Sequence, residues 1–170
     1  MYKVGVVDFA VFERGKDYLG MASVQLPTVN QKVIAYSAAG TGGDFEVPTG
    51  KIDPMSVTFN FHSVTDAATK LSTMRVHQVE LRSVHQNYDP KKVAVNPEGI
   101  KYVMDIMPKS ENFGQVQPAS PQAVSGEYAC HAFKMFIGNK LVRHVDPVKN
   151  INWDPDNGNL LAKYNKILGK

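Results

Sequence analysis

NQKVIAYSAAGTGGDFEVPTGKIDPM, residues 30–55, decides how the rest of the chain is read. It lies between two strand-like runs, VQL at residues 24–26 and SVTFNF at residues 56–61. Its middle is small and flexible: Ser37, Ala38, Ala39, Gly40, Thr41, Gly42 and Gly43. A hairpin link needs only about two to five residues, and a long structureless loop in a compact domain is usually functional or disordered. Disorder does not fit, because Val33, Ile34, Tyr36, Phe45, Val47 and Ile52 leave apolar surface wanting a partner. The stretch reads as an arm that packs on something outside its own domain, with the rest of the chain as its platform.

The platform reads as mostly β. Residues 4–12 (VGVVDFAVF) and 18–26 (YLGMASVQL) are rich in β-branched and aromatic residues, and the turn signal at residues 13–16 joins them as a hairpin. Pro27 ends the second run or puts it at an edge. Residues 56–62 alternate, with Val57, Phe59 and Phe61 on one face and Ser56, Thr58, Asn60 and His62 on the other. Residues 63–73 switch to a helical period, with Ser63 as N-cap and Val64, Ala67, Ala68 and Leu71 on one stripe. Strands are expected again over residues 73–87 and 99–108, with a turn at 89–92 and a polar loop over 109–125. Residues 127–137 and 140–146 flank Gly138-Asn139 and predict a tight hairpin. Residues 159–168 (NLLAKYNKIL) place Leu160, Leu161, Tyr164, Ile167 and Leu168 on one face of a terminal helix that stops at Gly169. The expected fold is an antiparallel sandwich or small barrel with one internal and one C-terminal helix, a single domain over residues 1–170.

Composition narrows the function more by exclusion than by suggestion. The 170 residues carry a formal net charge of +3, and their basic residues are scattered rather than gathered in a stripe. That is weak support for nucleic-acid binding. The single cysteine, Cys130, rules out an internal disulfide and suits a reducing compartment. No apolar run approaches the ~20 residues that span a bilayer, so a cytoplasmic product without stable membrane anchoring is expected.

Catalytic patterns do not assemble. His62, His77, His85, His131 and His144 all fall in or beside strand-like runs without metal-ligand spacing, and read as core or solvated histidines. Residues 154–158 (DPDNG) resemble the start of a calcium loop but have the wrong spacing to the glycine, so a turn is expected. Gly40-Thr41-Gly42-Gly43 lacks the Lys-Ser/Thr of a phosphate loop. Cys130 sits mid-strand, where neighbouring His131 points to the opposite face, and reads as structural. No catalytic residue, cofactor or metal is expected. What stands out is edges: long strands with one apolar face, the other lined by Arg75, Glu80, Arg82, Lys101 or Asp105, and an apolar arm attached. The polar face suits either bulk water or the bore of a multi-subunit barrel.

In this order the pieces resemble the major tail tube protein of contractile phage tails and R-type bacteriocins. The resemblance lies in Val11-Phe12-x-x-Gly15-x-x-Tyr18-x-Gly20, in Leu26-Pro27 with Tyr36, Ala39-Gly40 and Gly43, and in the closing segment. There Tyr128 to Ile137, the turn Gly138-Asn139-Lys140, the strand Leu141 to Asp146 and the helix ending in Leu168-Gly169 follow in sequence. The resemblance implies two packed antiparallel sheets with a helix, six protomers to a ring, and rings stacked into a tube whose inner strands close one large β-barrel. It implies an arm at about residues 36–55, with Tyr36, Ala39, Gly40, Gly42, Gly43, Phe45 and Val47 contacting a neighbouring subunit. It places Lys163, Lys166 and Lys170 toward a surrounding sheath. Further implied partners are baseplate, initiator and terminator proteins, and DNA in the bore if the particle is a phage. A related reading is the tube protein of type VI secretion. A reading of another class is a monomeric β-barrel burying a small apolar ligand among Phe59, Phe61, Tyr102 and Phe133.

Overall fold

The computed structural model describes residues 1–15, 17–20 and 23–170. Its spine is three long strands. β7 (His77–Asp89) and β9 (Val124–Ile137) flank β8 (Ala94–Asn112), with ladders from His77↔Ile106 to Asp89↔Ala94 and from Ile100↔Ile137 to Asn112↔Ser125. β1 (Tyr2–Glu13) pairs with the far side of β7, and β2 (Asp17–Tyr18) with the last turn-proximal residues of β1.

At β9 the sheet divides. Its first half pairs with β6 (Met55–Phe61), which carries β3 (Ser23–Gln25) on its other edge. Its second half pairs with β10 (Lys140–Asp146), followed outward by β11 (Ile151–Asp154) and β12 (Gly158–Asn159). The division coincides with a register break opposite Asp105 and Ile106, where Ala132 and Cys130 are the partners and His131 is the extra residue. A bulge of this kind sharpens local twist and bend. The β3–β6 branch rolls over β1, β7 and β8, while β10–β12 continue the sheet outward.

The roll encloses the core. Every second residue of β6 points into it (Met55, Val57, Phe59, Phe61), meeting Val11, Val79, Met104, Ile106 and Tyr128. The Phe59 and Tyr128 rings sit 5.3 Å apart. Tyr128 folds back over Gly126, where a Cβ would lie 2.7 Å from its hydroxyl oxygen, so only glycine fits beside that ring.

Several expectations need correction. The ten-stranded sheet is open: among the described residues no ladder joins β3 to β1, so one chain forms no closed barrel. The expected hairpin of residues 4–12 with 18–26 is kept only where β2 meets Phe12 and Glu13; Ser23, Val24 and Gln25 of its second run pair with β6 instead, and Lys16, Met21 and Ala22 lie outside the described residues. The internal helix, α1, is only Asp66–Leu71, capped by Thr65 rather than Ser63, with Thr65 Oγ1 accepting from Ala68 N at 3.2 Å. The expected loop over 109–125 is shorter, because β8 runs on to Asn112 and pairs polar Ser110 and Glu111 with β9. The terminal helix, α2, is Ala162–Ile167. Its expected first turn is taken by β12, where Asn159 Oδ1 accepts from Asn152 N and Leu161 N, each at 3.1 Å.

Where β1 ends, Glu13 is buried. It accepts from Arg75 Nη2 at 2.7 Å and lies 2.8 Å from His77 Nδ1, whose other ring nitrogen is 2.8 Å from the Thr73 carbonyl. Burial raises the Glu13 carboxyl pKa, but hydrogen bonds and charge from His77 and Arg75 outweigh it and hold it below 4.5. A lowered folded-state value means the stabilisation is complete above pH 4.5 and is lost as pH falls through that lowered value. Glu13→Gln should therefore cost roughly 2–3 kcal/mol at pH 7 by denaturant unfolding. The gap to wild type should close in acid below pH 4.5; a gap that persists there would rule out the carboxylate as its source.

Candidate functional site

The arm folds on itself. β4 (Gln31–Tyr36) and β5 (Phe45–Ile52) make a two-stranded sheet of their own, with Ile34↔Val47 and Tyr36↔Phe45 among their pairs. Ala39, Gly40, Gly42 and Gly43 lie in the tip, residues 37–44, where Thr41 N and Oγ1 both donate to the Ala38 carbonyl at 3.2 and 2.7 Å. Sequence reading saw the composition of this segment but not its pairing. An isolated two-stranded hairpin is marginal in water, and this one hides little. Val33, Ile34, Tyr36, Phe45 and Val47 are all 47–62% exposed, although the Tyr36 and Phe45 rings meet at 5.2 Å.

Among the described residues, the hydrogen bonds that tie the hairpin to the rest of the chain lie at its base. Asn152 Nδ2 donates to the Gly50 carbonyl at 2.8 Å, and Asp53 N donates to the Asn30 carbonyl at 2.8 Å. Gly50 is buried at φ +81°, a left-handed backbone, and a Cβ there would meet Leu161 at 3.3 Å. Beyond that clamp the hairpin and α2 border a groove of about 620 Å³ lined by Val33, Ile34, Val47, Pro48 and Tyr164, with Lys32 and Lys51 among its lining.

Lys163, Lys166 and Lys170 are exposed. So is most of the face expected to pack inward: Leu161 is buried, but Tyr164, Ile167 and Leu168 stand open, Ile167 at 82%. The short helix leaves Ile167 and Leu168 largely open to solvent, while Tyr164 borders the groove beside the hairpin.

The sheet's outer face collects the charges seen in the sequence. One rung runs Phe12, Glu80, Val103, Lys134, His144; the next runs Ala10, Arg82, Lys101, Phe136, Leu141. Asp105 lies on the same face; Arg75 does not, since it precedes β7 and pairs with Glu13. Arg82 opposite Lys101 is a like-charge cross-strand pair, which is unfavourable. Both are drawn aside: Arg82 Nε bonds Glu80 at 2.6 Å with its guanidinium 4.7 Å over Phe12, and Lys101 Nζ sits 4.8 Å over Phe136.

Edges remain open. Among the described residues β2 pairs only with Phe12 and Glu13 of β1, Leu19 N adds a bond to the Val11 carbonyl at 2.8 Å, and Tyr2, Val4, Val6 and Val7 are 59–67% exposed. Cys130 is buried, and its thiol is pushed up to about 12 by burial and by the Asp105 charge, while it donates to the Ala132 carbonyl at 3.3 Å. Asp154 serves as a turn acceptor for Asp156 N and Asn157 N. Of the aromatic residues that a ligand barrel would use, Phe59, Phe61 and Phe133 are core. Tyr102 lines an apolar cavity of about 140 Å³ with Val6, Phe9, Val24 and Leu26.

A family model described as phage tail tube protein FII matches residues 5–169. No curated protein sequence matches. Among solved structures, the sheath/tube terminator of PVC, an extracellular contractile injection system, superposes with a TM-score of 0.57 at 13% identity, covering 80% of this chain and 98% of that one. The PVC sheath–tube complex in its extended state gives 0.57 at 14% identity, covering 80% and 93%. The cap that terminates the tube of the anti-feeding prophage gives 0.57 at 14%, covering 81% and 93%. At these identities the likeness is one of fold.

Two substitutions separate the clamp from the tip. Gly50→Ala should cost roughly 1–2 kcal/mol in thermal unfolding, through backbone strain and the Leu161 contact. Gly42→Ala, with open space around it, should fall within about 0.5 kcal/mol of wild type. Equal effects would contradict a hairpin anchored only at its base. Cys130 should resist alkylation at pH 8 in the native protein and react only on unfolding; labelling at native pH 8 would show that the thiol is not held in the core.

Proposed function

This chain belongs to the phage tail tube protein FII family, and we propose that it is the repeating subunit of the inner tube of a contractile injection particle. It is a structural protein and not an enzyme. In this reading residues 1–170 form one tail-tube domain with an arm at about residues 36–55. Six copies make a ring, rings stack into a rigid tube, and sheath contraction drives that tube through a cell envelope while the bore conducts DNA or ions.

The observation that carries the reading is the unfinished sheet. Among the described residues β1 has an almost uncovered edge, and a hairpin of exposed Val33, Ile34, Tyr36, Phe45 and Val47 stands off the same protomer. Open edges and exposed apolar strands are aggregation hazards in a monomer. They are satisfied when copies of the chain complete one another's sheets, and closure into a common barrel removes the edges.

The outer sheet face supplies a bore wall in this reading. Asp8, Glu80 and Asp105 balance Arg82, Lys101 and Lys134 there, and two of those cations are occupied by aromatic rings. A wall without free clustered cations lets a polyanion pass without holding it. The α2 lysines, Lys163, Lys166 and Lys170, face a sheath, and tube ends meet baseplate, initiator and terminator proteins. Among the described residues no helix is long and apolar enough to cross a membrane. The particle is built in the bacterial cytoplasm.

Purified protein should show rings or hollow tubes with six-fold end views by negative-stain microscopy. A monomer at every concentration, even with a baseplate nucleus, would overturn the reading. Replacing residues 37–44 with a two-residue turn should leave thermal stability nearly unchanged but cut tube formation. Sheath docking should weaken as salt rises beyond about 0.15 M, where the Debye length falls below ~8 Å, and in Lys163→Glu/Lys166→Glu; salt-independent docking would move the sheath contact elsewhere.

A further inference from the structure

Glu13, Arg14, Lys70 and Arg75 line a recess of about 370 Å³ at the β1–β2 turn. Among the described side chains three cations surround one carboxylate, and that carboxylate is already engaged by Arg75 and His77. Arg14 and Lys70 have no ion pair among the described residues. Arg14 is also held at φ +52°, with its N–H donating to the Gln78 carbonyl at 2.9 Å. Side chains other than glycine adopt that backbone at a cost, so the turn places Arg14 beside the recess in a conformation it does not favour.

The complementary charge is on the arm. Asp44, the last tip residue, and Glu46, near the start of β5, flank exposed Phe45; both are exposed and neither is in an ion pair among the described residues. Their i, i+2 spacing suits one side of an extended segment, roughly 7 Å apart. We propose that the recess of Arg14, Lys70 and Arg75 receives the acidic arm tip, Asp44 and Glu46, of a second copy of this chain.

Topology makes the contact one between copies. The arm is anchored to β11 and Leu161 at one flank of the sheet, whereas the recess lies at β1 and β2 on the opposite flank. Four strands, β10, β9, β8 and β7, separate β11 from β1, about 24 Å at the usual strand spacing. A donor surface on one flank and its acceptor on the other define a heterologous, head-to-tail contact, the kind that closes rings or propagates filaments. This inference rests on the tube reading and specifies which surfaces meet.

The test is a charge swap, read by pelleting and negative-stain microscopy at low and high salt. Arg14→Glu/Lys70→Glu should cut assembled protein by about tenfold or more, as should Asp44→Lys/Glu46→Lys, because each sets like charges face to face. All four substitutions in one chain should restore assembly. Thermal unfolding of each variant checks the fold; should a reversal unfold the protein, Asp44→Asn/Glu46→Gln replaces it and should flatten the salt dependence of assembly. Restoration by the combined chain supports the pairing. Reversals that assemble like wild type, or a combined chain no better than either half, overturn it while leaving the tube reading standing. A wild type that never assembles overturns both.

Discussion

Strand edges govern this molecule. Each backbone N–H and C=O in a sheet needs a partner, and an edge strand presents a row of them unpaired. β7, β8 and β9 satisfy theirs within the chain over long continuous ladders. Among the described residues β1 does not, because β2 and Leu19 reach only Val11, Phe12 and Glu13 at its end. The split at β9 is how one chain both closes a core and keeps extending a sheet: its first half carries β6 over Val11, Val79 and Met104, and its second half carries β10, whose Val145 still joins that core with Phe133, and then β11 and β12. A protomer built this way has a buried interior beneath the split and, among the described residues, unfinished strands at its flanks.

The hairpin of β4 and β5 follows the same division. Its stability comes from the base, where Asn152 holds Gly50 and Leu161 packs against the left-handed bend. Its tip contributes almost nothing to the protomer, since its apolar side chains lie open. Apolar surface on a clamped, extended element adds to stability only when something covers it. Charge follows suit: Glu13 is neutralised inside the protomer, while Asp44, Glu46, Arg14 and Lys70 are left to the outside.

Much of this was legible in the chain because alternation reports burial directly. Val57, Phe59 and Phe61 point inward as their spacing demands, β10 has the bounds its residues suggested, and Glu80, Arg82, Lys101 and Asp105 share a face. The arm was legible as apolar and glycine-rich, but not as a hairpin, since Ile34↔Val47 pairing leaves no simple alternation when both faces are exposed. β11 was missed because its residues, INWD, are held by tertiary pairing with β10 rather than by strand propensity. The terminal helix is shorter than its apolar stripe suggests: Leu161 is buried and Leu160 half-buried, Tyr164 borders the hairpin groove, and Ile167 and Leu168 are exposed. The basic recess left no local signal, since Glu13 and Arg75 are 62 residues apart in sequence and meet only in the fold.

The central claim is that neighbours complete these edges, and amide hydrogen exchange compared between assembled and dispersed protein tests it most directly. Exchange should slow on assembly at residues 2–8 of β1 and across residues 31–52 of the hairpin, with little change in the already paired amides of β7 and β8. Equal exchange in both states at β1 and the hairpin would mean that the edges stay open in the particle, and would contradict the account.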